Sequence, residues 1–175
     1  MKICIDAGHG GSDSGADGPT GLNEASVVLE ISQMIAEALV AQYHETKLTR
    51  TMETYVSLDC RCKIANDWEA HYFISVHCNS DGPTAVGIET LYKSENGKDL
   101  ASYIQDELIR VTGDIDRGLK HRDNLQVLNG TNMPAVLVEV GFISHPGTEA
   151  KLKTKDYKTV LANAITKGFL NFMEF

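Results

Sequence analysis

The sequence predicts an α/β domain built on a single, largely parallel sheet. Two observations predict it. Short apolar runs of strand length alternate with longer segments whose apolar residues recur at helical spacing. Three of those runs also deliver a polar residue at or just past their carboxyl ends, where open parallel sheets place their sites. No repeat, low-complexity tract or Pro/Gly/Ser linker interrupts the 175 residues, so 1–175 is expected to form one domain.

The elements follow in order. Residues 2–6 form a short buried strand, and residues 7–21 a Gly/Ser/Asp-rich loop. A loop that long inside a compact domain is usually functional. Val27, Val28, Ile31, Met34, Ile35, Ala38 and Leu39 then line one face of a helix. His44–Arg50 reads as a second strand. Ser57 caps a helix running to about Glu69, with Leu58, Ile64, Ala65 and Trp68 facing inward. Tyr72–His77 is a continuous apolar strand that passes into the polar run 77–82, and Val86–Tyr92 is another strand. Leu100, Ile104, Leu108 and Val111 mark a helix. Pro134 leads into the strand Ala135–Val140. Val160, Leu161, Ala164, Ile165, Phe169 and Phe172 mark the closing helix.

Composition excludes several function classes. Apolar residues make up 42% and charged residues 23%, a globular balance. The net charge of −8 argues against nucleic acid or an anionic membrane as the main partner. No apolar run has the length of a membrane span. Met1–Asp6 enters strand-like sequence directly, without the apolar core of a signal peptide, so synthesis in the cytoplasm without a signal is expected. Cys4, Cys60, Cys62 and Cys78 are expected to be reduced, since a domain this size folds on its own core.

Three residues are candidate ligands of a catalytic zinc: His9, Glu24 and His77. Imidazole nitrogen and carboxylate oxygen suit Zn²⁺, and catalytic sites use three protein ligands. Each has a bland explanation on its own: a loop histidine bonded to backbone, an acid complementing a helix N-terminus, a satisfied histidine at a strand end. Their joint arrival at strand ends favours the metal. Glu139 interrupts an apolar run, where a carboxylate is costly unless paired or set beside a metal. It is either a buried salt-bridge partner or a general base, and the second is preferred. The loop 8–15 lacks the Gly-Lys-Ser/Thr ending of a phosphate cradle. Asp6 could either support a ligand histidine or cap the loop. Arg50 and Arg61 are expected to be structural ion-pair partners, and His44, His71 and His145 surface residues. His121 could line a cleft or sit in a solvated loop.

Several segments, in order, resemble one family. They are Ile5–Gly11 with Asp13 and Gly15, Asn23-Glu24, Leu48–Arg50, Ser57-Leu58 with Arg61, and Ala65-Asn66. Phe73–Asn79, Gly87–Thr90, Asp116–Gly118, Val127-Leu128 and Met133–Ser144 complete the set. The chain thereby resembles the catalytic domain of zinc-dependent N-acetylmuramoyl-L-alanine amidases, of endolysin or autolysin type. The resemblance implies a twisted sheet of about six strands flanked by helices on both faces. It implies one Zn²⁺ per chain held by His9, Glu24 and His77, with Glu139 as catalytic acid/base, and peptidoglycan as the substrate. The reaction implied is hydrolysis of the amide joining the lactyl group of N-acetylmuramic acid to L-alanine. Asn79 and His121 are carried as candidate substrate contacts. Cys78 and His145 depart from the family's usual residues, and the Cys78 thiol is a minor rival ligand. A separate C-terminal wall-binding module is expected, with action on the wall after release by phage or mother-cell lysis. Rival readings are a zinc peptidase cutting within the stem peptide and a non-catalytic wall-binding module.

Overall fold

A computed structural model of the chain describes residues 1–174. Its strands are β1 (Lys2–Ala7), β2 (Glu45–Leu48), β3 (Tyr72–Asn79), β4 (Ile88–Tyr92), β5 (Asp116–His121) and β6 (Ala135–Phe142). Its helices are α1 (Glu24–Ala41), α2 (Leu58–Asp67), α3 (Glu95–Thr112), α4 (Gln126–Asn129), α5 (Pro146–Leu152) and α6 (Lys155–Met173). The strands form one sheet in the order β2-β1-β3-β6-β4-β5. Every neighbouring pair is parallel except β4 with β6. The reversed β4 brings its first residues to the same edge at which β1, β3 and β6 end.

Side-chain alternation sorts the sheet into two faces. Ile3, Ile5, Ile74, Val76, Val136 and Val138 pack under α1, α3 and α6 in the larger core. Cys4, Phe73, Ala135 and Leu137 point the other way, to a smaller core that includes Ala65 of α2 and Val127 and Leu128 of α4. Continuing that alternation places Asp6, Ser75, His77 and Glu139 on the α2/α4 face. The polar residues therefore gather where the helical cover is thin.

Local chemistry sets the helix ends. Asn23, Ser57, Ser94 and Thr154 each accept a backbone N–H in the first turn of α1, α2, α3 and α6. Gly113 ends α3 in the left-handed conformation. The expected strands and helices are present, with His44–Arg50 shortened to Glu45–Leu48 and Val86–Tyr92 to Ile88–Tyr92. Three elements are additional. β5 is an edge strand of mostly polar residues, α4 is a single turn, and α5 is short and begins at Pro146.

Two residues expected to face inward, Leu58 and Val160, do not. Leu58 is 55% exposed because it opens α2 at the lip of a cavity. Val111 and Val160 are 38% and 39% exposed, on the groove between α3 and α6. His145 is half-buried rather than superficial, since its side chain caps α5 by accepting the Thr148 N–H. His44 is also half-buried, edge-on to Phe169.

Asp6 and two arginines hold the end of β1. The fully buried Asp6 accepts from Thr49 Oγ1 at 2.6 Å, Arg61 Nη1 at 2.7 Å and Ser75 Oγ at 2.7 Å. Arg61 also donates to the carbonyls of Val56, Ala7 and His9. Arg50 donates to the carbonyls of Ala7, Gly8 and Ala25. The chain leaving β1 is thus held by guanidinium donors on successive carbonyls. Removing one member of such a buried pair leaves the other charge uncompensated. Arg61→Ala should therefore cost roughly 3–5 kcal/mol of stability, read from the urea midpoint. A loss under about 1 kcal/mol would show that Asp6 is satisfied without it.

Candidate metal centre

Three side chains from distant parts of the sequence meet at the sheet edge. His9 follows β1 with a positive φ of 58°. Glu24 is the first residue of α1, and His77 lies in β3. Glu24 Oε1 stands 3.2 Å from His9 Nε2 and 3.0 Å from His77 Nδ1. One ligand atom from each residue lies within 4.8 Å of the others. The two imidazoles meet edge to face, with centroids 4.9 Å apart.

Two glycines make this approach possible. A Cβ on Gly8 would lie 2.3 Å from His77 Cε1. A Cβ on Gly15 would lie 2.6 Å from Glu24 Oε2 and 2.7 Å from His9 Cδ2. Backbone and side-chain bonds then fix the three groups. Glu24 accepts from the N–H of Cys78 at 2.9 Å through Oε1 and of Ala16 at 2.9 Å through Oε2. His9 Nδ1 bonds Asp13 Oδ2 at 2.9 Å, and Asp13 Oδ1 accepts the Gly15 N–H. That leaves His9 Nε2 directed at Glu24, the arrangement by which an outer carboxylate orients a ligating imidazole.

Electrostatics agree with the geometry. The Glu24 hydrogen bond raises His9 to about 9 against the effect of burial, with Asp13 adding to it. Burial pushes Glu24 upward, but the bonds to His77 and His9 outweigh it and hold the carboxyl far below the ordinary range. Burial lowers His77, and the Glu24 bond with the charges of Glu139, Glu24 and Asp6 reverses that into a net rise. Without an ion, the carboxylate and the two rings compensate one another. A divalent cation could replace the shared protons.

Glu139 lies beside His77 in the parallel β3–β6 ladder. Burial pushes its carboxyl up to about 7; His77 opposes this and Glu24 and Glu89 reinforce it. Its Oε2 is buried without a hydrogen-bond partner among the described residues. An unpartnered buried acceptor beside an imidazole–carboxylate cluster fits a site that receives a further group. The cluster and its neighbouring acid match a centre holding a borderline cation such as zinc.

Comparison with known proteins decides the family. The Amidase_3 family, described as N-acetylmuramoyl-L-alanine amidase, matches residues 3–171. The chain belongs to this family. The sporulation-specific N-acetylmuramoyl-L-alanine amidase of Bacillus subtilis is 39% identical over 173 residues, 96% of this chain and 66% of that protein. The amidase LytC of the same species is 38% identical over 97% of this chain, which spans only 35% of LytC. The solved structure of the amidase AmiC2 of Nostoc punctiforme superposes with a TM-score of 0.95 at 32% identity, covering 100% of this chain and 98% of that one.

Within this amidase-family fold, a cavity of about 340 Å³ opens beside His9 and His77. Its walls are largely apolar, from Tyr55, Val56 and Leu58 before and in α2, Leu125 and Val127 around α4, and Leu137 of β6. The remaining residues singled out in the sequence fall outside the cluster. Cys78 turns its thiol into the larger core, where burial raises it well above its ordinary value, so only its backbone N–H reaches Glu24. Asn79 donates to Glu89 Oε1 at 3.1 Å. His121 ends edge strand β5 with Nε2 3.1 Å from the Lys93 carbonyl, away from the cavity walls. Asp6 supports the loop through Arg61 and does not touch a ligand histidine in the bonds it makes. All four cysteines are free thiols.

Sequence reasoning gave no role to Asp13, Glu89 or Glu149. Glu149 is buried and accepts from the N–H groups of Thr20 and Leu22 and the Thr20 hydroxyl, anchoring the loop that leads to Glu24. An acid 127 and 129 residues away in sequence from its partners carries no local signal of that contact. Asp13, four residues from His9, was legible in principle from spacing.

Protonated imidazole cannot ligate, and in the ion-free protein the bonds to Glu24 and Asp13 push the His9 imidazole up to about 9. Uptake of a divalent cation by the cluster should therefore release protons at pH 7, and apparent affinity should rise as pH increases toward 9. Calorimetry in buffers of differing ionisation enthalpy measures both. An affinity that does not change from pH 6 to 9 would contradict the pairing of His9 with Glu24.

Proposed function

We propose that this chain hydrolyses the amide between the lactyl group of N-acetylmuramic acid and L-alanine of the peptidoglycan stem, with zinc held by His9, Glu24 and His77. The observation that carries the reading is the unpartnered buried Oε2 of Glu139 beside that cluster. Membership of the amidase family supplies the substrate class. Zinc, when bound, supplies Lewis-acid polarisation of the scissile carbonyl and a water of lowered pKa.

The chain's own residues do the rest. Glu139, raised by burial toward neutrality, accepts a proton from the attacking water. The same carboxyl returns the proton to the leaving L-alanine nitrogen, which would otherwise depart as a poor anion. Amide resonance makes the bond resistant, so both proton transfers matter. Asp13 keeps the His9 ring oriented, and the backbone N–H groups of Ala16 and Cys78 keep Glu24 in place. A separate wall-binding module belongs to the same proposal; its support is the partial coverage of longer relatives such as LytC.

Glu139→Ala should keep zinc and lose roughly two or more orders of magnitude in activity on purified peptidoglycan. Near-parent activity in that variant would remove Glu139 from the chemistry. His77→Ala should lose both metal and activity, as followed by elemental analysis. Stoichiometric zinc in the His77 variant would show that the ion sits elsewhere.

A further inference from the structure

The antiparallel pairing of β4 with β6 sets Glu89 directly opposite Glu139. Glu89 is buried and accepts from Asn79 Nδ2 on one oxygen and from Arg117 Nε, at 3.0 Å, on the other. Arg117 comes from β5 and is 39% exposed. It is held on several sides. Its guanidinium carbon lies 4.7 Å over the Phe142 ring, and Nη1 reaches the Val86 carbonyl at 3.4 Å. Its aliphatic stem runs over Gly87, where a Cβ would stand 2.9 Å from Arg117 Cγ. An exposed arginine ordinarily has many rotamers; this one is fixed before any ligand arrives.

Fixing it leaves donors unused. A guanidinium has five N–H groups, and the contacts to Glu89 and Val86 occupy two of them. The other arginines near the cluster are not in this position. Arg50 and Arg61 are buried and bonded to backbone carbonyls and Asp6. The cavity on the α2/α4 side, lined mainly by apolar groups, offers no comparable outward cation. The two flanks of the cluster therefore differ: one apolar, the other carrying a preorganised fork of N–H donors.

We propose that Arg117 is a specificity-determining residue that binds a carboxylate of the stem peptide, so that the peptide runs from the cluster across β4 toward β5. The proposal deepens the amidase reading above and rests on it. The spacing is suitable. Adjacent strands lie roughly 4.8 Å apart, and extended peptide advances about 3.3 Å per residue. Arg117 meets Glu89 one strand beyond Glu139, so its outer donors lie about one residue past the L-alanine released. In a stem peptide that position is the second residue, a glutamate whose α-carboxyl is either free or amidated. The guanidinium fork matches a free carboxylate in two parallel hydrogen bonds, and a primary amide forfeits the charge and one acceptor. Glu89 then has a defined part as a positioning residue, since it holds the fork without filling it.

The test uses two defined muramoyl-peptides, identical except that the α-carboxyl of the second residue is free in one and amidated in the other. The zinc-loaded chain should prefer the free acid by roughly tenfold or more in kcat/KM, chiefly through KM. Arg117→Ala should bring that ratio to about one, and Arg117→Lys should keep an intermediate preference as a point charge without the fork. If Arg117→Ala does not fold, Arg117→Gln, which can still bond Glu89, should lose the ratio in the same way. Parent enzyme without the preference, or a variant that slows both substrates equally with the ratio intact, overturns the proposal. Absence of a newly freed L-alanine amino group from either substrate would instead sink the amidase reading, and this proposal with it.

Discussion

The Glu24 carboxylate lies between two imidazoles, and most of the surrounding structure serves to keep it there. A buried carboxylate at a helix start is costly unless it meets opposite charge or donors. Here it meets both: the rings of His9 and His77 at 3.2 and 3.0 Å, and the N–H groups of Ala16 and Cys78. The 7–21 loop passes close to the cluster at Gly8 and Gly15, where a side chain would occupy the space of His77, Glu24 and His9. Glu149 anchors the far end of that loop, and Arg50 and Arg61 hold its beginning. Packing of the larger core supplies a rigid sheet; the site adds a polar lattice on its thinly covered face.

That arrangement puts two acids in opposite electrostatic surroundings. Glu24 is stabilised as an anion by its partners, whereas Glu139 is half-buried, with its Oε2 buried and unpartnered, and is pushed up to about 7. Neighbouring carboxylates whose surroundings drive them in opposite directions are suited to different tasks, one binding and the other exchanging protons. The reversal of β4 contributes as well. It places Glu89 opposite Glu139, adding negative charge that favours the protonated form of the latter.

Much of the fold was legible because buried strands and amphipathic helices have distinct periods. Tyr72–His77 and Ala135–Val140 read as strands without ambiguity, and Val27–Leu39 as a helix. β5 was not legible: Asp116–His121 is a polar edge strand whose apolar pattern is too weak to mark it. The direction of β4 was equally hidden, since strand polarity depends on which neighbour it pairs with and not on its own residues. Leu58 misled because an apolar residue in a helix is ordinarily inward, and here it lines a cleft. In the site, His9, His77 and Glu139 were reachable because strand ends converge by topology, and Glu24 because it opens the helix that follows the glycine loop. The contact between Arg117 and Glu89 carried no signal in the sequence, because it depends on the register of β4 and β5 with β6.

The proposed chemistry requires one cation shared by His9 Nε2, Glu24 and His77 Nδ1 beside an unligated Glu139. A crystal structure of the zinc-loaded protein, with the ion located by anomalous scattering, measures this directly. The expected result is a single ion about 2.0–2.2 Å from all three ligand atoms, with Glu139 outside bonding distance. An ion bound elsewhere, or Glu139 replacing one of the three ligands, would contradict it.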